Sequence, residues 1–283
     1  MIPNDLFHII LVIPILNVLT VFYKIFTTLH VPWAFGFSIV ALTATIRLIL
    51  HPLFHQQMQT TKKMNDMKPH LDRLSLKHKD DPKKLQAEQM NLYKEAGINP
   101  ASGCLSLIIQ MPIFIGLYST LTLILSKGTG NALITSINKV VYSPFLHITG
   151  TIDPYFFMYN LALTPAQSGS WYYYLVPVVT GFLQYLQFQA TMQKPADDKD
   201  VKDIEKKKDE KDGKEVKKDT SGDFQKAMNT QMKYIFPVMI AYFSYTLPIG
   251  LSLYWNIFSL FSIIQYKAHN AKEKVQESKN KGK

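Results

Sequence analysis

WAFGFSIVALTATIRLILHPLF, residues 33–54, decides how the rest of the chain must be read. It is 22 residues of almost unbroken apolar character with a single charge, Arg47, and with Pro52 near its far end. About 20 helical residues cross a hydrocarbon layer of ~30 Å, so a run of this kind is a candidate membrane span. Arg47 lies about three residues past its middle, where a charged side chain costs about 2.5–3.5 kcal/mol to insert. The segment therefore reads as a transmembrane helix whose arginine serves a purpose worth that cost.

The surrounding sequence repeats the pattern. Residues 105–126, LSLIIQMPIFIGLYSTLTLILS, form a second expected span, and residues 171–192, opening on the aromatics Trp171 to Tyr174, a third. Two more, 231–247 and 249–266, are separated by a tight turn at Pro248 and Gly250. Hydrophobic residues make up 47% of the chain, and its net charge is +10. The apolar residues fall in blocks with the charges between them. Amphipathic periodicity, which a water-soluble core would need, is missing from these blocks.

The intervening segments have their own signals. Residues 1–32 carry a polar stripe, Asn17, Thr20, Lys24 and Thr27, at helical spacing. That pattern suits an interfacial helix better than a lipid-buried one, with a sixth span as the alternative. Residues 55–104 read as a helical hairpin outside the membrane. Met64, Met67, Leu71 and Leu74 line its first helix, and Asp80-Asp81-Pro82 ends that helix. Asp81 suits the N-cap and Pro82 the first position of the second helix. Leu85, Leu92 and Ala96 mark its inner face, Gly97 suits its C-terminal cap, and Asn99-Pro100 forbids continuation. Residues 127–170 read as a loop rich in Gly, Pro, Thr and aromatics, whose rings suit a membrane–water interface. Residues 194–226 hold 11 Lys and 11 acidic residues and cannot bury a core, so a charged disordered linker is expected over 193–230. Residues 267–283 form a basic tail.

Charge sets the expected topology. Segment 55–104 holds nine Lys or Arg and the tail holds six Lys, whereas 127–170 holds only Lys127 and Lys139. Cytoplasmic loops carry the excess of Lys and Arg. The hairpin, linker and C-terminus are thus expected in the cytoplasm, and five spans place the N-terminus outside. The fold class is an all-α membrane protein: a five-helix bundle with an N-terminal interfacial helix and a cytoplasmic hairpin.

No Asp or Glu lies within any of the five spans. Arg47 must therefore meet water, backbone carbonyls, polar side chains or an acid brought by another molecule, unless its long stem snorkels to the surface. Other intramembrane polar residues are candidates to share a cavity with it: Thr43 one turn before, Gln110, Gln184 and Gln187, and Tyr254, Trp255 and Asn256. Each alone is equally what holds membrane helices together by hydrogen bonding. Motifs for hydrolysis, nucleotide binding or metal chemistry are absent, so neither an enzyme nor a cofactor is expected. His51 and His55 have metal-ligand spacing without a third ligand nearby. The single cysteine, Cys104, excludes a disulfide framework. The start, MIPNDLFHII, lacks the basic region of a secretory signal.

Four stretches resemble the YidC/Oxa/Alb family of membrane protein insertases. GFSIVALTATIRLILHPL (36–53) resembles its first core span, NPASGCLSLIIQMPIFIGLY (99–118) its second, and PVVTGFLQYLQ (177–187) its third. IFPVMIAYFSYTLPIGLSLYWNIFSLFSIIQ (235–265) resembles the last two. The hairpin also matches in length and in its central break. The resemblance implies a hydrophilic groove open to the cytoplasm and the lipid, with Arg47 as its arginine and Thr43, Gln187 and Trp255 among its contacts. It implies insertion of hydrophobic segments of nascent proteins into the plasma membrane without nucleotide hydrolysis. Expected partners are nascent membrane proteins, the ribosome and signal recognition targeting components, the Sec translocon and anionic lipids. The long charged linker departs from the family's short loop, and the large external domain of Gram-negative members is absent. A small anion transporter and a scaffold without translocation are the rival readings.

Overall fold

The computed structural model describes residues 5–78, 81–97, 102–126, 131–191 and 231–281. The expected linker, and with it Lys127, Asp80, Asn99 and Pro100, lies outside them. Helix α1 (Ile13–Thr28) follows a π-helical turn, His8–Val12. Then come α2 (Ala34–Ile49), α3 (His51–Asp66), α4 (Lys68–Lys77), α5 (Pro82–Glu95) and α6 (Ser102–Ser126). After α7 (Asn131–Asn138) comes a small antiparallel ribbon, β1 (Tyr155–Phe156) and β2 (Tyr159–Asn160), with Tyr155 opposite Asn160. Helices α8 (Leu175–Thr191), α9 (Phe236–Thr246) and α10 (Ile249–Lys281) complete the chain.

The chain divides into two compact units. The larger comprises Met1–Pro52, Leu107–Gln187 and Pro237–Lys283. Its core joins Leu16 and Leu19 of α1, Phe35, Ile39 and Leu42 of α2, Leu117 and Leu121 of α6, and Leu251 and Tyr254 of α10. Polar residues are buried with them, including Asn17, Thr43, Arg47, Ser244, Ser252 and Ser259. The outward faces are apolar instead: Ile10 in the π-helical turn, Ile25 on α1, Val178 and Phe182 on α8, Val238 on α9 and Ile264 on α10. Polar groups inside and large apolar side chains outside invert the pattern of a water-soluble bundle. The outer surface matches a lipid environment, and the chain is a membrane protein.

Among the described residues, two helices, His8–Thr28 and Ile249–Ala271, are long and apolar enough to cross a membrane, and Gln110–Ile124 is a shorter apolar helix. A third helix of that length arises if Ala34–Ile49 is joined with the helix that follows it. The expected span 33–54 is thus not one continuous helix. Pro52 explains the break after Ile49, because it lacks an N–H and its ring opposes the carbonyl four residues earlier. The last helix is longer than expected: the tail from Lys267 continues α10 as far as Lys281. The segment expected as a loop is largely ordered. Beyond α7 and the ribbon it contains a short 3₁₀ turn at Pro144–Leu146, and a second, Trp171–Tyr174, opens the expected third span ahead of α8.

The polar stripe of α1 points inward. Asn17 Nδ2 donates to the carbonyls of Ile13 (2.8 Å) and Val140 (3.2 Å), and its Oδ1 accepts from the Tyr142 N–H (2.7 Å). Thr20 donates to its own helix at Leu16, and Lys24 Nζ lies 3.4 Å from the His147 carbonyl. The stripe therefore fastens α1 to the 131–174 segment. Gly36 allows a second attachment. A Cβ there would fall within the ring of Phe156, which packs edge-on against Phe37 (5.3 Å between centroids). Trp33 at the start of α2 stacks on Phe157 (4.3 Å).

The smaller unit comprises Leu53–Ser106 and Phe188–Phe236. Within it the Asp81 carboxylate caps α5 by accepting from the Lys84 N–H at 3.1 Å, with Pro82 at the first turn. Gly97 takes a left-handed φ of 63° after the last turn, and its N–H donates to the Lys94 carbonyl. Leu71 of α4 and Leu85 of α5 are buried, and His78 lies 2.8 Å from Glu88. Ala96 is exposed rather than on the inner face.

Candidate intramembrane arginine site

Arg47 sits in the last turn of α2 and is 2% exposed, so it neither snorkels to a surface nor lies open to solvent in this structure. Residues of α10 are among its partners. Nη2 donates to the Phe258 carbonyl (2.8 Å) and to the Ser262 hydroxyl, and Nη1 donates to Gln265 Oε1 (3.2 Å). The guanidinium carbon is 3.6 Å from the centroid of the Phe258 ring. These contacts are a carbonyl, two neutral side chains and an aromatic face. Residues 258, 262 and 265 recur at helical spacing, which places all three on one face of α10. The Gln265 amide nitrogen lies 3.4 Å from His51 Nδ1, beyond the end of α2.

Of the other expected site residues, Gln110, Gln184, Tyr254 and Trp255 make contacts at the same helix, on different faces. Gln110 Nε2 of α6 donates to the Tyr254 hydroxyl at 2.6 Å, and the Tyr254 ring lies 6.0 Å from that of Phe258. This pair adjoins the arginine. Trp255 packs on Phe114 of α6 with centroids 5.1 Å apart. Gln184 of α8 accepts from Ser259 at 3.3 Å, on another side of α10. Gln187 and Asn256 are half-buried. Thr43 is fully buried and donates back to the Ile39 carbonyl of its own helix (2.7 Å). It fills space one turn below Arg47.

Sequence reasoning missed Phe258, Ser262, Gln265 and Ser259. The signal was available, since Tyr254, Phe258, Ser262 and Gln265 follow one helical stripe. Also missed was a hydroxyl cluster where Ser244 of α9 lies 2.8 Å from Ser252 of α10 and donates to Thr180 of α8 at 3.2 Å. Such bonds hold membrane helices together. Gly181 assists, since a Cβ there would come within 3.0 Å of Ala241 Cβ on α9. Among the described residues no cluster of three His, Cys, Asp or Glu side chains could hold a metal. His55 lies 3.1 Å from Gln59 instead.

Comparison with known proteins gives a consistent result. Residues 25–277 match the model of the family described as "60Kd inner membrane protein". The chain is 28% identical over 262 residues to the inner membrane protein ALBINO3 of Arabidopsis thaliana chloroplasts, covering 90% of this chain and 51% of that one. It is 29% identical over 233 residues to the membrane protein insertase YidC of Campylobacter jejuni, covering 81% and 33%. A shorter stretch of 109 residues is 42% identical to YidC of Caulobacter vibrioides, covering 38% and 17%. The chain thus spans about half the length of ALBINO3 and a third of the Campylobacter protein. The match extends from α1 to α10 and includes every residue of the arginine site, and the chain belongs to the 60Kd inner membrane protein family, that of the YidC/Oxa/Alb insertases.

Proposed function

We propose that this protein inserts hydrophobic segments of nascent proteins into the plasma membrane, with Arg47 as the residue that receives polar, acidic parts of the incoming chain. The observation that carries this reading is the arginine itself. It is buried in an apolar bundle, and its partners from α10 are neutral. A guanidinium so placed retains a strong preference for an anion. The family match and the names of its relatives support the same activity.

The segment between α2 and α6 receives the nascent chain on the cytoplasmic side. A short hydrophilic leading segment enters a groove lined by Arg47, Thr43, Gln110, Gln184, Gln187, Tyr254, Trp255 and Asn256. Polar contacts there lower the cost of carrying that segment partway across. The hydrophobic segment then leaves between helices into lipid, driven by about 0.8 kcal/mol for each buried methylene. That free energy replaces nucleotide hydrolysis. Five spans place the N-terminus outside and the C-terminus in the cytoplasm. The N-terminal helix rests at the outer interface, its apolar side toward lipid and its stripe on the 131–174 segment. The ribosome, targeting components, the Sec translocon and anionic lipids are its proposed partners.

Insertion of two single-span substrates that differ only in an acidic or a neutral leading tail tests this reading. Arg47→Ala is expected to impair the acidic one selectively, and Arg47→Lys to retain part of the activity. Equal insertion of both substrates by Arg47→Ala would refute the electrostatic step.

A further inference from the structure

We infer that the tip of the β-ribbon, Phe157 and Met158, is a membrane anchor that dips into the outer leaflet, with Trp33 and Leu29 beside it. The inference goes beyond the proposed function and takes from it only the placement of the start of α2 outside. Phe157 and Met158 connect β1 to β2, between the paired residues Phe156 and Tyr159. They are 54% and 60% exposed. Phe157 has a left-handed φ of 52°. A bulky residue adopts that conformation only at a cost, and two-residue turns that need it at their first position ordinarily carry glycine there. Here the position holds a phenyl ring that stacks on Trp33 (4.3 Å between centroids), whose own φ is 55°. Two aromatic residues in strained backbone thus meet to form an apolar point that is more than half open at Phe157.

Lipid is the occupant that fits this point. Val21, Ile25 and Leu29 are exposed on α1 at a spacing of four and make one outward apolar stripe. Leu29, 66% exposed, ends that stripe four residues before Trp33. Phe26 of α1 meets Phe37 of α2 (6.1 Å), Phe37 meets Phe156 (5.3 Å), and Phe156 meets Phe157 (4.8 Å). Ring contacts therefore join the outward apolar side of α1 to the ribbon tip. Residues 154–163, PYFFMYNLAL, carry no charge. The nearest charge before them, Asp153, stands exposed at the base of the ribbon, where its carboxylate accepts from the Tyr155 N–H at 3.0 Å. An apolar tip above a charged base, flanked by Trp33 and Tyr155, has the polarity of an element that enters a membrane from water.

The full chain with Met158→Cys in a Cys104→Ser background is spin-labelled in lipid nanodiscs. Its collision rates are compared for oxygen, which concentrates in lipid, and for a water-soluble nickel chelate. Phe182→Cys on the outward face of α8 supplies the lipid control and Thr151→Cys the aqueous one. The anchor predicts a label at position 158 that favours oxygen over nickel, as at 182, at about 5–10 Å into the headgroup–acyl boundary. A label at 158 as open to nickel as the one at 151 would overturn the inference. So would a label shielded from both, because a second copy of this chain would then cover the tip. The unmodified protein gives an independent reading should the label disturb the ribbon. A phosphatidylcholine with a diazirine in its acyl chain should cross-link to Phe157 or Met158 and spare Thr151, and a tip without adducts would overturn the inference equally. In intact cells the Thr151→Cys protein should react with an impermeant maleimide added outside. Reaction from the inner side alone would overturn the outer-leaflet assignment, and the proposed topology with it, while lipid contact at 158 is judged by the first two readings.

Discussion

Gly36→Ala is expected to loosen the attachment of the β-ribbon to α2. A Cβ at Gly36 would lie within the Phe156 ring, meeting its Cγ, Cδ2 and Cε2 atoms. Overpacking of that kind costs about 1–3 kcal/mol. Phe156 can relieve it only by swinging away, which gives up its edge-on contacts with Phe37 (5.3 Å) and Phe157 (4.8 Å). Each such pair contributes about 0.5–1.5 kcal/mol. Losing both contacts costs about 1–3 kcal/mol, the same range as the overpacking it relieves, which for a chain of this size lowers the thermal midpoint by roughly 2–10 °C. The assay is scanning fluorimetry in lipid nanodiscs, with limited proteolysis between residues 139 and 171 as a local readout. Phe156→Ala alone is also destabilising, through the cavity it leaves. The decisive variant combines the two. With the ring gone the alanine methyl has room, so Gly36→Ala should add under about 0.5 kcal/mol to Phe156→Ala. Additive losses in the double variant would refute the contact.

Three further perturbations follow from particular residues. Asp81→Ala removes the cap of α5 and should cost about 1 kcal/mol, read as faster amide exchange at Lys83 and Lys84 with α10 unaffected. A cysteine at Asp5, in a Cys104→Ser background, should react with an impermeant maleimide added outside the cell. Reaction from the cytoplasmic side alone would mean that His8–Thr28, long enough to cross, does so. Burial raises the Tyr159 phenol above its ordinary value of 10.0. The fold then favours the protonated form, so stability is intact below that value and declines as pH rises above it. Tyr159→Phe should flatten the alkaline fall in thermal midpoint between about pH 9.5 and 11.

Features that were legible in the sequence are those governed by near neighbours. Asp81, Pro82 and Gly97 mark α5 because caps act within three or four residues. The apolar blocks announced a membrane protein, and Arg47 announced itself by its rarity. Its partners were not legible, because Phe258 and Gln265 lie 211 and 218 residues away. Their helical stripe could be seen, but not which helix it would face. The polar stripe of α1 shows the converse limit. Its periodicity was read correctly, yet Asn17 faces Val140 and Tyr142 rather than water. The order of the 131–174 segment was hidden for a similar reason. Its Gly, Pro and Thr content signals a loop, and the aromatic contacts of Phe156, Phe157 and Tyr173 that fix it are tertiary. The break after Ile49 needed only Pro52, and the long α10 only its unbroken helix-forming sequence.

The central claim is that a nascent chain passes through the polar interior around α10. Site-specific photo-crosslinking tests it most directly, with probes at Thr43, Gln187 and Trp255 and a control at outward-facing Val178, against a ribosome-stalled single-span chain of increasing length. Insertion through this interior predicts crosslinks at the three inner sites that appear and fade with chain length, ahead of any at Val178. Crosslinks confined to Val178, or none at the inner sites while the ribosome is engaged and the protein folded, would contradict it.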